Sequence, residues 1–472
     1  MSRFGQLKTA AFASVRRVNG PPEQQPSDTP TRGERVRASH TARAAGVASA
    51  QMIANVLALI TTVALARALG TADYGELARM VSVFTILMVP ATALQAAAAR
   101  DMTLGRLGLG GRAAAALQGW LGRIFIIAAV LLVICLLLRH QLADILQVSQ
   151  PWAAAIVLPA AALWTGLALQ RGVLLGVGGY RPVAISLIGE QTSRMVFGLV
   201  AALLGAQVGL IFFCSVPLAT IPVLVATGVL TRRRLGPSDH EHARVRLREL
   251  ATRNPVPVAA LTLFAVLQNA DVIAVGHFFN TTLSGAYAQA AVAAKGVVWV
   301  AIGLGLYLLP EAAREAAKGT DPRHLLTRTT GLLMLIAVPI LALFTFAPEL
   351  ILSLVFGDQA KLAAPALPWL AAAMTCLSIS YLALQFLLAL GRRSFLIVLA
   401  FGAVAVPAAV ALRDTSLESV AIGLLVLDAI LAALMLSLSF SARGPGKHGL
   451  SEADAEAFAL AESSAAAESA MP

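Results

Sequence analysis

The chain has 472 residues, of which 58% are hydrophobic and only 13% charged, and its formal net charge is +11. A water-soluble domain is nearer one quarter charged and could not hide this much apolar surface, so the main solvent of this chain is lipid. Its three cysteines, Cys135, Cys214 and Cys376, fall singly inside apolar runs, which argues against a disulfide framework and against a thiolate metal site.

In chain order, residues 1–43 are polar and rich in Pro and Arg, without the apolar core of a signal peptide. They read as a disordered cytoplasmic tail. A membrane-spanning helix needs ~20 mostly apolar residues. Twelve segments meet that need: 44–67, 76–99, 113–138, 152–178, 183–204, 206–230, 255–278, 285–310, 329–347, 362–390, 394–412 and 417–440. Residues 231–254, TRRRLGPSDHEHARVRLREL within them, form a basic linker between six spans and six. Residues 441–472 are an Ala/Ser/Glu mixture with little to bury and read as a second disordered tail.

Twelve spans put both tails on one side. Of the 36 Lys and Arg residues, 27 fall on that side, four on the other and five inside spans. This asymmetry places both termini in the cytoplasm of a cell-membrane protein, and it assigns the high net charge to topology rather than to nucleic acid. The loops expected outside are short and leave no room for an external catalytic domain, so an enzyme is not expected. GRLGLGGR (105–112) lacks the Gly-Lys-Ser/Thr of a phosphate loop. His240 and His242 lie in a solvated Arg-rich loop. No metal or cofactor is expected.

The two halves echo one another. LGTADYGELARMVSVFTILMVPATALQAAAARD follows the first span, and FFNTTLSGAYAQAAVAAKGVVWVAIGLGLYLLPEAARE follows the seventh. Each has a small-polar turn with Gly and Tyr, a long apolar run, a Pro and an Arg beside an acid. Six spans per half give both halves the same orientation, a parallel repeat about the membrane normal. The expected fold is an all-α polytopic membrane protein: two six-helix bundles around a central cavity, at 44–230 and 255–440.

The turn LARALGTADYG (65–75) resembles the RxLGxxxYG turn of polysaccharide and O-antigen flippases, members of the multidrug/oligosaccharidyl-lipid/polysaccharide exporter superfamily. LQRGVLLGVGGYRP (169–182), DVIAVGHFFNTTLSGAYAQA (271–290), LLPEAARE (308–315) and ALQFLLALGRRSF (383–395) echo that family in the same order. The resemblance covers 44–440. It implies a flippase that moves an undecaprenyl-diphosphate-linked oligosaccharide to the external leaflet by alternating access, with membrane lipids and glycan-assembly enzymes as partners. Lipid II flippases are similar, but they usually have fourteen spans and charge in the first helix, which 44–66 lacks. A cation-coupled multidrug exporter of the same fold, or a scaffold that transports nothing, are the alternatives.

In the 65–79 stretch, Gly70 and Gly75 are expected to permit a tight external reversal. Tyr74 suits the membrane interface, and Arg67, Asp73, Glu76 and Arg79 are expected at headgroup level. Deeper charges are functional candidates because each is costly in hydrocarbon. Lys295 is the deepest cation and has no acid within four positions; its partner is another helix, water or an anionic substrate. Arg171, Arg123 and Arg194 are further candidates for binding the diphosphate. Glu190 and Arg194, four residues apart, form either a structural or a cavity-lining pair. Asp271, after Gln268 and Asn269, either binds a coupling ion or closes a polar network, and Glu190 is the second coupling candidate. Asp428 reads as half of an interhelical salt bridge or as a functional group.

Overall fold

The computed structural model describes residues 32–108, 110–238, 255–413 and 416–442, with side chains from residue 46 onward except Ala48. Of the expected tails, residues 1–31 and 443–472 lie outside the described residues, as do 239–254 of the linker; residues 32–43, expected to be disordered, are instead helical and form the first turns of α1.

Each of the twelve expected spans falls on a helix. The first two are the arms of one element, α1 (Arg32–Thr103), broken at Gly70, where φ is 73° and ψ 179°. Only Gly adopts that backbone without strain, so Gly70 makes the junction with no intervening loop. There follow α2 (Gly111–Leu137), the short α3 (Arg139–Leu146), α4 (Pro151–Gly176) and α5 (Tyr180–Leu203). The sixth span is α6 (Val208–Phe213), a π-helical turn (Cys214–Leu218) around Pro217, and α7 (Ala219–Leu235). A proline inside a helix removes one donor, and the wider turn absorbs the loss.

The second half holds α8 (Pro255–Phe278), α9 (Thr281–Ala317), α10 (Arg323–Phe346) and the short α11 (Pro348–Phe356). A 3₁₀ turn (Asp358–Ala363) leads to α12 (Leu367–Ala389), α13 (Phe395–Ala411) and α14 (Leu417–Ser441). Residues 362–366, expected within the tenth span, belong to that turn and its exit. α9 outruns its expected span at both ends: Asn280 caps it by accepting from the Leu283 N–H, and it continues through Pro310 to Ala317. Hydropathy alone undervalues two spans. α5 carries Arg181, Glu190 and Arg194, and α13 has only 17 residues.

The helices form two six-helix bundles. α2, α4, α5 and α7 pack among themselves, as do α8, α9, α12, α13 and α14. The second arm of α1 serves both cores. Leu77, Met80, Val81, Phe84, Met88 and Ala91 fall on one face, at helical spacing, and join the first-bundle core. Tyr74, Ala78, Val89, Ala93 and Ala96 fall on the other and join the second. Small residues on that second face let the bundles approach closely, as helices in lipid do when packing rather than water drives association.

Candidate functional site

Among the described residues, one buried polar cluster lies in each bundle, and a clamp joins the bundles at the end where α1 kinks, the turn end. The opposite end carries Arg100, Arg112 and Arg232–Arg234 and is termed the basic end.

The first cluster centres on Glu190 of α5. Ser186, Glu190 and Arg194 recur every four residues and share one face of that helix. Trp164 and Arg171, two turns apart on α4, face them. Arg171 Nη2 donates to Glu190 Oε2 at 2.6 Å and Arg194 Nη2 to Oε1 at 2.7 Å. Trp164 Nε1 donates to the same Oε1 at 2.9 Å. Arg171 also holds Ser186 through its hydroxyl and carbonyl, both at 3.0 Å, and Thr227 of α7 donates to the Ser186 hydroxyl. The Arg194 guanidinium lies 5.3 Å from the centre of the Phe84 ring. Both arginines are 0% exposed and Glu190 1%. Two guanidiniums share one carboxylate in a site closed to solvent and lipid. The expected binding residues Arg171 and Arg194 and the expected coupling residue Glu190 are thus brought together, bonded to one another.

The second cluster spans α8, α9 and α14. Asp271 accepts from the Tyr287 hydroxyl at 2.9 Å. Lys295 Nζ donates to Asn269 Oδ1 at 3.2 Å, and Asn269 in turn donates to the Ala265 carbonyl at 2.9 Å. Lys295 and Asp271 lie within electrostatic reach of each other, as do Asp271 and Asp428. No ion pair joins Lys295 to either carboxylate among the described residues; an amide stands where a salt bridge was one expectation. The Asp271 Oδ1 and Gln268 Nε2 atoms are buried without a hydrogen-bond partner. Asp271 thus lies between one lysine and a second aspartate. Asp271 and Lys295 were legible as candidates singly. Tyr287, Asn269 and Asp428 join them only through the packing of three helices.

Arg123 joins neither cluster. It is exposed on α2 between Gly122 and Ile126, on a stripe with exposed Val130, Val133 and Leu137, which is the lipid-facing side. The expected role of Arg123 in binding a substrate diphosphate beside Arg171 finds no support in that placement.

The clamp corrects the expectation for residues 65–79. Tyr74 is 0% exposed and sits in the second-bundle core, not at a membrane interface. Arg79, expected at headgroup level, is buried and spans the bundles. It donates to the Leu146 and Gln147 carbonyls at 3.0 and 2.7 Å and to the Ser284 hydroxyl at 3.2 Å. The two carbonyls lie at the C-terminal end of α3, where helix carbonyls lack intrahelical donors and attract a cation. Glu76 is also buried and accepts from Ser149 at 2.9 Å. Arg67 donates to the Leu354 and Val355 carbonyls, and the Thr71 hydroxyl donates to Gln359. Gly75 is helical, and its importance is proximity. A Cβ there would stand 2.7 Å from Gly285 Cα, one on Gly285 would stand 1.7 Å from the Thr71 carbonyl oxygen, and one on Gly276 would stand 2.2 Å from Arg79 Cδ. The two repeated Gly-and-Tyr turns meet each other here. Thr85, Gln289 and Trp299, each with a buried polar atom that lacks a partner, were missed by sequence reasoning; the signal was a lone polar group in an apolar run.

No protein-family model matches the chain, and no curated protein matches it in sequence. Solved structures do. An inward-facing multidrug resistance MATE family transporter of the MOP superfamily aligns with a TM-score of 0.58 at 14% identity, over 84% of this chain and 97% of that one. A variant of the Vibrio cholerae MATE transporter VcmN aligns with a TM-score of 0.58 at 14% identity, over 86% and 98%. An outward-facing MATE transporter aligns with a TM-score of 0.53 at 14% identity, over 84% and 94%. The chain shares the fold of these transporters.

Proposed function

We propose that this protein is a cation-coupled transporter that works by alternating access and carries a lipid-linked oligosaccharide, of the undecaprenyl-diphosphate type, across the cell membrane for surface-polysaccharide synthesis. The basic end and both termini face the cytoplasm in this reading, as the 27-to-4 charge asymmetry supports. The observation that carries the coupling is the second cluster. Asp271 and Asp428 are buried beside each other with a single ammonium nearby and one Asp271 oxygen unbonded. Such a site gains from taking up a proton or a hard monovalent cation, and a buried acid in a membrane protein persists where it does such work. The carbonyl and hydroxyl contacts of the turn-end clamp are the closed outer gate.

The oligosaccharide rests on the resemblance of residues 65–75 and the later motifs to polysaccharide flippases. One observation favours a second reading, cation-coupled drug export: Arg171 and Arg194 are committed to Glu190, which leaves Lys295 as the deep cation for an anionic substrate. Reconstituted protein separates the readings. A fluorescent lipid-linked glycan should cross the bilayer only when a cation gradient is imposed, and Gly285→Ala should abolish crossing by wedging the gate. Movement of cationic drugs without the glycan would select the second reading, and movement of neither would refute transport.

A further inference from the structure

A groove of about 260 Å³ opens where α2, α4 and α7 meet, toward the basic end of the first bundle. Its mouth is apolar: Phe125 of α2 and Val225 and Val229 of α7 line it, and all three are exposed on the outside of the bundle. Its floor is not apolar. Gln170 of α4 lines the groove and is 3% exposed, and its amide oxygen has no hydrogen-bond partner. Gly228 makes room for that amide: a Cβ on Gly228 would stand 3.1 Å from Gln170 Nε2. Arg232, in the last turn of α7, closes the groove at the basic end with its side chain exposed.

The polar groups are ordered by depth. Arg232 is three residues from the end of α7, and Gln170 is six from the end of α4. At 1.5 Å per residue the amide sits ~4–5 Å deeper than the guanidinium's helix position, and Phe125 and Val225 deeper still. From the membrane surface inward the groove offers a cation, then an amide, then hydrocarbon. A glycerophospholipid offers phosphate, then ester carbonyl, then acyl chain. The Gln170 Nε2, which stands toward Gly228 on the groove side, can donate to an ester carbonyl.

We propose that this groove binds an acidic glycerophospholipid of the leaflet at the basic end, with its phosphate on Arg232, its ester on Gln170 and one acyl chain between α2 and α7. The site is separate from the transport reading and stands without it. Native mass spectrometry of the full chain, titrated with phosphatidylglycerol and with phosphatidylcholine, tests it. Phosphatidylglycerol should be retained more tightly. Arg232→Gln should weaken its retention about tenfold, the scale of one charge-assisted contact. Val229→Trp should block retention of both lipids by filling the mouth, and Arg234→Gln should change little. Because Val229 faces outward, melting of that variant in lipid-free detergent should match wild type; Val225→Trp is the replacement if it does not. Equal retention of the two lipids, an unchanged Arg232→Gln, or a preference for polyprenyl phosphate over phosphatidylglycerol would each overturn the proposal.

Discussion

The two bundles bury charge in opposite ways. In the first, Glu190 is saturated: each oxygen accepts from an arginine, and Trp164 adds a third donor. In the second, the Asp271 Oδ1 accepts nothing, and Lys295 is held by an amide rather than an acid. The first cluster sets two arginines on one glutamate, the second two aspartates near one lysine. A carboxylate bonded on both oxygens from two helices fixes those helices against each other. On the proposed function, a carboxylate with an unfilled oxygen is the one that takes up a cation. On that function, the difference separates charges that hold the fold from charges that drive transport.

The sharpest way to break this comparison is Glu190→Gln. It leaves two buried guanidiniums without their shared carboxylate, a loss of about 3–5 kcal/mol for a broken buried pair. Membrane abundance and melting temperature should both drop steeply. Neutralising the acids of the second cluster should do the reverse: Asp271→Asn or Asp428→Asn should keep abundance near wild type and remove the cation dependence of transport. A stable, active Glu190→Gln, or an unfolded Asp428→Asn, would invert the assignment of roles.

The twelve spans were legible because each needs a run of apolar residues, and that signal is local. The repeat was legible too, since its two Gly-and-Tyr turns stand at matching places in the two halves. What those turns do was not. Arg79 looked interfacial because it lies near a span end, yet its partners are Leu146, Gln147 and Ser284, which are 67, 68 and 205 positions away. Likewise Gly75 looked like a turn residue, and only the approach of Gly285 explains it. Glu190 and Arg194 were visible as a pair four residues apart, but Arg171 reaches them through the packing of α4 on α5. Arg123, by contrast, was drawn into the candidate set by depth alone. Depth is readable along a helix, whereas the direction a side chain faces depends on which neighbours cover it.

Lys295 sharpens the comparison at intermediate size. It sits in the second cluster without an ion pair, so Lys295→Gln removes a desolvated charge and should leave abundance unchanged. If its ammonium meets the diphosphate of a lipid carrier, transport should fall at least ~tenfold, a loss of about 1.4 kcal/mol in the transport barrier. Lys295→Arg should retain part of the rate, because a guanidinium keeps the charge but not the compact geometry. Lower abundance, rescued by adding Asp271→Asn, would instead make Lys295 a counterion of the kind found in the first bundle.

The smallest effect belongs to a third pair, which sets the baseline for both clusters. Asp358 and Lys361 lie 2.7 Å apart in the 3₁₀ turn at the turn end, outside the spans. The hydrogen bond from Lys361, and then its charge, hold the Asp358 carboxyl below its ordinary range. A carboxyl shifted down favours the folded state above its ordinary range, and that contribution disappears as pH falls through the lowered value. Both side chains are largely in water, where solvent and salt screen the attraction. Asp358→Asn should therefore leave melting unchanged at neutral pH and change its pH dependence only in the acid range. Its neighbour Gln359 takes the Thr71 hydroxyl of the clamp, so the variant also checks whether the clamp depends on the charge of this turn. A melting loss comparable to that of Glu190→Gln would mean that the turn is held by its ion pair, and that burial is not what distinguishes the charges of this protein.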